Sequence, residues 1–125
     1  MKVLLVDDEL EFISTLAERL LYRGMEVAFT SKPAETVELV KNQCFDVAVL
    51  DMKMPGISGL DLKPILEQHC PNMKFIFLTG HGSEGDYVAW TSASAFYLLK
   101  PVNISVLIAK IKEAAASAAL PQEKS

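Results

Sequence analysis

No stretch of this sequence approaches the roughly 18 apolar residues of a membrane span. The first hydrophobic run, Val3–Val6, is closed by Asp7 and is too short for the core of a signal peptide. A soluble, cytoplasmic protein is the expectation. Cysteine is scarce. Cys44 and Cys70 lie far apart, with no CxxC or Cys/His ligand spacing. That excludes a zinc cluster and a disulfide framework, and both are expected to be structural thiols, Cys44 buried and Cys70 in a loop before Pro71. Basic charge is in deficit, with 12 Lys and Arg against 16 Asp and Glu and a formal net charge of −4. Such a balance argues against a nucleic-acid surface in this domain, though not against a DNA-binding partner domain elsewhere. Internal repeats and low-complexity tracts are also missing, which excludes a repeat architecture.

What is present suits one domain. Half of the 125 residues are hydrophobic, enough for one sizeable core and not for two. Short apolar runs recur at Val3–Val6, Met25–Phe29, Val47–Leu50, Phe75–Leu78 and Phe96–Leu99. Three are almost continuously hydrophobic, as strands buried on both faces are. Helical patterns separate them. Phe12, Ile13, Leu16, Ala17, Leu20 and Leu21 form a stripe within residues 9–23, and Gly24 is placed to stop that helix. Pro33 opens a second helix containing Val37, Leu39 and Val40. Leu60, Leu62, Ile65 and Leu66 mark a third, which Pro64 should kink or delay. Residues 84–92 read as a weak fourth, and Asn103 as the N-cap of a fifth with Ile104, Leu107, Ile108 and Ile111 on one face. The result is β-α repeated five times: an α/β, doubly wound, five-stranded parallel sheet, with strand order 2-1-3-4-5 favoured. Residues 1–117 form the domain, and 118–125 a tail or the start of a linker.

Polar residues punctuate the strand ends. Asp7 and Asp8 follow the first strand, Asp51 the third, Thr79 the fourth and Lys100 the fifth. In a parallel sheet all of them project from the carboxyl edge, where ligands of such folds bind. Three carboxylates in one cleft repel one another unless a cation neutralises them. Mg²⁺ is the expected cofactor, held by Asp8, Asp51, Asp7 through water and a backbone carbonyl just after Asp51. Lys100 adds a point charge and Thr79 a hydroxyl. This set is a phosphoryl-transfer pocket, with Asp51 as the carboxylate nucleophile that becomes an aspartyl phosphate.

At these residues the chain resembles the receiver domain of two-component response regulators, over roughly residues 1–117. The motifs are Val6-Asp7-Asp8-Glu9, Leu50-Asp51-Met52-Lys53-Met54-Pro55-Gly56, Leu78-Thr79-Gly80-His81-Gly82 and Lys100-Pro101. The resemblance implies a (βα)5 flavodoxin-like receiver fold. It implies a signalling switch, not an enzyme beyond its own phosphotransfer and slow dephosphorylation. Asp7 and Asp8 would be the metal-binding pair, Lys53 a ligand through its backbone carbonyl, and Lys100-Pro101 a cis peptide bond. Tyr97, otherwise a half-buried core aromatic, matches the ring that turns inward as Thr79 moves toward the phosphoryl group. The partner would be a sensor histidine kinase or phosphotransfer protein, and the output an effector domain or downstream protein. The switch surface would be made by the fourth helix, fifth strand and fifth helix, which also offers a route to a homodimer. No nucleic-acid or membrane contact is implied for this domain.

Some features depart from the family pattern. Thr79 and Lys100 are 21 positions apart, one fewer than the family leads us to expect, and Ala93-Ser94 replaces the usual Gly-Ala before the fifth strand. Gly80-His81-Gly82-Ser83-Glu84-Gly85 fits a dinucleotide fingerprint, but it follows the fourth strand and lacks the acidic residue about 20 positions on. It reads as a loop. His81 is placed by its spacing near the approach of water to the acceptor. Two other functions compete. A hydrolase working through an aspartyl phosphate usually carries a second Asp two residues after its nucleophile as general acid, where this chain has Lys53. A binding module that keeps the fold without phosphorylation would not need the complete Asp7, Asp8, Asp51, Thr79 and Lys100 set.

Overall fold

The computed structural model describes residues 1–80 and 96–117. Its elements are β1 (Lys2–Val6), α1 (Leu10–Tyr22), β2 (Glu26–Thr30), α2 (Ala34–Asn42), β3 (Val47–Asp51), α3 (Gly59–His69), β4 (Lys74–Thr79), β5 (Phe96–Leu99) and α4 (Ile104–Ser117). The five strands are all parallel, in the order β2-β1-β3-β4-β5. This is the doubly wound parallel sheet expected from the alternation of strands and helices, and the flavodoxin-like fold that the resemblance implies. The predicted helix over 84–92, Ala93-Ser94, His81, most of the glycine-rich segment and the tail over 118–125 lie outside the described residues.

Burial explains the strand sequences. Every residue of β3 is buried, as are Val3–Val6 of β1 and Phe75–Thr79 of β4. Side chains alternate across a strand, so the core is split by the sheet into two layers. Leu4, Val6, Ala48, Leu50, Phe75 and Phe77 pack with Val40 of α2 and with Leu62 and Leu66 of α3. Val3, Leu5, Val47, Val49, Ile76 and Leu78 pack with Ile13, Leu16, Ala17 and Leu20 of α1 and with Leu107, Ile111 and Ala114 of α4. A central strand must therefore be hydrophobic at both phases, whereas β2 and β5 at the edges are only partly covered.

Helix ends follow local chemistry. Gly24 has φ +86°, the left-handed conformation of a C′ glycine, and its N–H donates to the Leu21 carbonyl at 3.0 Å. Asn103 Oδ1 accepts from the backbone N–H of Ser105 (2.8 Å) and Val106 (3.2 Å), capping α4. Ser58 caps α3 by accepting from Asp61 N at 3.1 Å.

Three expectations need correction. First, Cys44 and Cys70 are bonded to each other as a disulfide, with Cα atoms 5.6 Å apart, and Cys44 is exposed, not buried. Cys44 lies in the α2–β3 connection and Cys70 ends α3 ahead of β4. Because β3 and β4 are neighbours, these connections meet at the amino edge of the sheet, a proximity that the 26-residue separation hides. Second, α3 begins at Gly59, five residues ahead of Pro64, so its start is not delayed to the proline. Pro64 lies on the exposed side of α3, where water can satisfy a carbonyl left without its helical N–H partner. Third, Leu21 and Ile65, read as members of apolar stripes, are exposed at 55% and 36%. The buried stripe on each helix is narrower than its hydrophobic sequence.

Candidate functional site

Register places the site. Val6 is opposite Thr30 and Leu50, Asp51 opposite Leu78, and Thr79 opposite Leu99. The residues at or just after these strand ends are Asp7, Asp8, Asp51, Thr79 and Lys100, gathered at the carboxyl edge. Backbone bonds tie the edge together. Asp7 N donates to Thr30 O (3.3 Å), Met52 N to Leu78 O (2.8 Å) and Lys100 N to Thr79 O (2.8 Å). A cavity of about 260 Å³ opens there, lined by Asp8, Glu9, Asp51, Lys53, Gly80 and Lys100 among others.

The charges are unequally matched. Carboxylate oxygens of Asp7, Asp8 and Asp51 all lie within 4.8 Å of one another. Lys100 Nζ stands 2.8 Å from Asp7 Oδ2, 3.2 Å from Glu9 Oε1 and 3.7 Å from Asp51 Oδ1. It also sits over the Phe12 ring, 4.9 Å from its centroid. The Lys100 ammonium thus meets three carboxylates, with Asp8 clustered beside two of them. Asp7 is fully buried and uses Oδ1 to accept from Glu9 N at 2.9 Å, fixing the turn into α1. Its Oδ2 pairs with the Lys100 ammonium at 2.8 Å.

Protonation follows from this crowding. Burial raises the pKa of Asp7 against the opposing pull of Lys100. Asp51 is pushed up to about 7, chiefly by burial, then by Asp7 and by a hydrogen bond with Asp8. Lys100 and the backbone N–H of Lys53 act in the opposite direction. For Lys100, burial would lower the pKa, but Asp7, Asp51 and Glu9 outweigh it and hold the amine above its usual value. Among the described residues the pocket carries more negative charge than Lys100 neutralises. A hard divalent cation fits its donors, three carboxylates clustered within 4.8 Å of one another.

Thr79 is buried at the end of β4. Tyr97 is opposite Phe77, half-buried against the core layer under α2 and α3. The Lys53 side chain is exposed, and the Lys100–Pro101 peptide bond is cis. Two neighbours of the site escaped the sequence reading. Glu9 was read only as part of a motif, although its position one turn before Phe12 at the head of α1 could have flagged it as a partner for Lys100. Gly59, the first residue of α3, packs so closely that a Cβ there would lie 2.6 Å from the Asp51 carbonyl oxygen and 3.2 Å from the Phe77 ring. No motif announces that contact.

Known proteins give the same picture. The response regulator receiver domain family matches residues 3–112. The transcriptional regulatory protein GlrR of Escherichia coli is 33% identical over 113 residues, 90% of this chain and 26% of that protein. The response regulator SaeR of Staphylococcus aureus is 30% identical over 110 residues, 87% of this chain and 48% of that protein. This chain therefore spans less than half the length of either relative. A receiver domain protein from Clostridium thermocellum superposes with a TM-score of 0.83 at 33% identity, covering 92% of this chain and 94% of that one. A response regulator from Burkholderia pseudomallei, solved with a phosphorylated aspartic acid, calcium ion and citrate, gives 0.81 at 29% identity, covering 93% and 69%. With the strand order, the acidic cluster and the family match over most of its length in agreement, this chain belongs to the response regulator receiver domains of two-component signalling systems, phosphorylation-dependent switches by general function.

Proposed function

We propose that Asp51 is the phosphoryl acceptor of this domain and that Mg²⁺ is its cofactor. The observation that carries the reading is the placement of Asp51: buried at the end of β3, clustered with Asp7 and Asp8, and 3.7 Å from the Lys100 ammonium. Asp7 and Asp8 would hold the cation with Asp51, and the Lys53 backbone carbonyl would complete the protein's share of ligands. When bound, Mg²⁺ supplies positive charge to the carboxylates and to phosphoryl oxygens.

The chain's own residues do the rest. The Asp51 carboxylate attacks the phosphorus of a phosphohistidine on a kinase or phosphotransfer protein; an O–P bond forms as the P–N bond breaks, and the electron pair leaves on the donor's histidine nitrogen. Attack needs the ionised form, so a pKa near 7 leaves much of the metal-free pocket protonated at neutral pH. Lys100 offsets charge on a phosphoryl oxygen, and the Thr79 hydroxyl donates to another. The phosphoryl group, with about −2 charge, draws Thr79 toward it, and Tyr97 turns inward behind it. The surface of β5 and α4 then changes toward an effector or downstream protein, or toward a second copy. The protein acts in the cytoplasm. Among the described residues no helix is long and apolar enough to cross a membrane.

Incubation with acetyl phosphate and Mg²⁺, read by intact mass, tests the proposal. One phosphoryl adduct is expected on the wild type, and none on Asp51→Asn or with EDTA. A folded wild type without an adduct, or an adduct that survives in Asp51→Asn, would refute it.

A further inference from the structure

The amino edge of the sheet carries chemistry that phosphorylation does not use. Cys44 and Cys70 are bonded there, but the two halves of the cystine differ. Cys44 is exposed, with its sulfur 3.6 Å from the His69 carbonyl. Cys70 is 2% exposed, packed in the core layer under α2 and α3, with its sulfur 3.9 Å from the Val40 carbonyl. A cavity of about 200 Å³ opens beside the pair, bounded by Cys44, Phe45, Asp46, Cys70, Pro71 and Met73. The covalent ring runs from 44 to 70 and so contains β3, Asp51 and the whole of α3.

We infer that this pair is a thiol–disulfide exchange site, entered through Cys44 by a small thiol or small disulfide of the glutathione class. Access decides which sulfur is attacked, and exposure favours Cys44 over the buried Cys70. In the reducing direction an incoming thiolate attacks Cys44 Sγ. A bond forms between those sulfurs as the Cys44–Cys70 bond breaks, and the electron pair leaves on Cys70, which takes a proton from water. A second thiolate attacks the outer sulfur of the mixed disulfide, releasing the small disulfide and the Cys44 thiolate. Two electrons pass from two small thiols to the protein. Oxidation is the reverse: Cys44 thiolate attacks the small disulfide, expelling one small thiolate. Cys70 then loses its proton and attacks Cys44, expelling the other. Burial of Cys70 makes that last step slow, so the mixed disulfide on Cys44 accumulates before the ring closes. The exchange opens or closes a ring around the acceptor-bearing unit from the end remote from the phosphoryl pocket.

The test uses the full chain, reduced, desalted and native, mixed with excess glutathione disulfide and quenched with acid over time. Intact mass and peptide mapping should show a glutathionyl adduct on Cys44 that decays into the internal disulfide. With Cys70→Ala the adduct on Cys44 should persist. Cys44→Ala should resist the adduct when native and accept it in urea. Because a variant at the buried position can misfold, reduced native wild type is also alkylated with iodoacetamide, where Cys44 should react at least about tenfold faster than Cys70. Equal labelling of the two, a first adduct on Cys70, or an adduct on Cys44 that never closes would each overturn the inference.

Discussion

At the carboxyl edge of the sheet, Asp7, Glu9 and Asp51 meet the Lys100 ammonium, and Asp8 clusters with Asp7 and Asp51. At the amino edge the chain is tied down. The α2–β3 and α3–β4 connections share a cystine, Phe45 and Met73 are buried beneath it, and Asp46 N donates to Lys2 O while Lys74 N donates to Asp46 O. The same strands run between these edges, so backbone propensity does not set them apart. One edge is arranged for cohesion. The other holds charge that a folded protein tolerates only with protonation or a counterion. Stability and function should therefore separate by edge.

The largest expected effect is at the functional edge. Lys100→Met should slow acetyl phosphate labelling by about 100-fold or more while the far-UV circular dichroism stays native. Labelling within a few-fold of wild type would remove Lys100 from the chemistry. Reduction of Cys44–Cys70 is the mirror case. It releases a 26-residue span and should cost about 2–4 kcal/mol of unfolding free energy, measured in urea, with the phosphorylation rate held within about twofold. A large loss of rate would show that the two edges are coupled. Gly59→Ala should sharpen the contrast from the middle. Its Cβ would crowd the Asp51 carbonyl, costing about 1–3 kcal/mol as overpacking does and lowering the labelling rate as well.

A pH series gives a smaller effect with a definite sign. The pKa of Asp51 is about 7 in the fold against 3.8 for the ordinary side chain, and Asp7 moves the same way. Between roughly pH 4 and 7 the native protein holds protons that the unfolded chain has released. Stability is then greatest below the unfolded pKa and is lost as pH rises through that window. Asp51→Asn should therefore stabilise the metal-free protein at pH 8 by about 1–2 kcal/mol, with the gain vanishing near pH 4 and shrinking when Mg²⁺ is added. A stabilisation that grows toward low pH would overturn the account of burial and repulsion. The smallest effect is Asn103→Ala, which removes the cap of α4 and should cost about 1 kcal/mol at every pH, read by thermal melts.

Much of this was legible in the sequence. Strand number, order and parallel sense follow from apolar runs separated by helical patterns, because a central strand must be hydrophobic at both phases. Asp7, Asp8, Asp51, Thr79 and Lys100 could be gathered without coordinates, since each follows or ends a strand and parallel strands share one edge. The cystine was misread because sequence patterning registers periodicity along an element, not which connections meet across β3 and β4. Glu9 was missed for a related reason: an acidic residue at the head of a helix already has an ordinary explanation in the dipole. Gly59 was invisible because nothing local demands glycine there. The Asp51 carbonyl demands it, and that is a contact between elements.

Gly59 has one further consequence. With no room for even a methyl group between the head of α3 and the Asp51 carbonyl, and with Gly59 N donating to Met52 O at 3.1 Å, strand and helix are geared together without slack. A displacement of the Asp51 backbone carries the start of α3 with it. The α3 axis is thus a pointer to the position of Asp51, and a spectroscopic label on an exposed residue of that helix, such as Gln68, would report it from a distance.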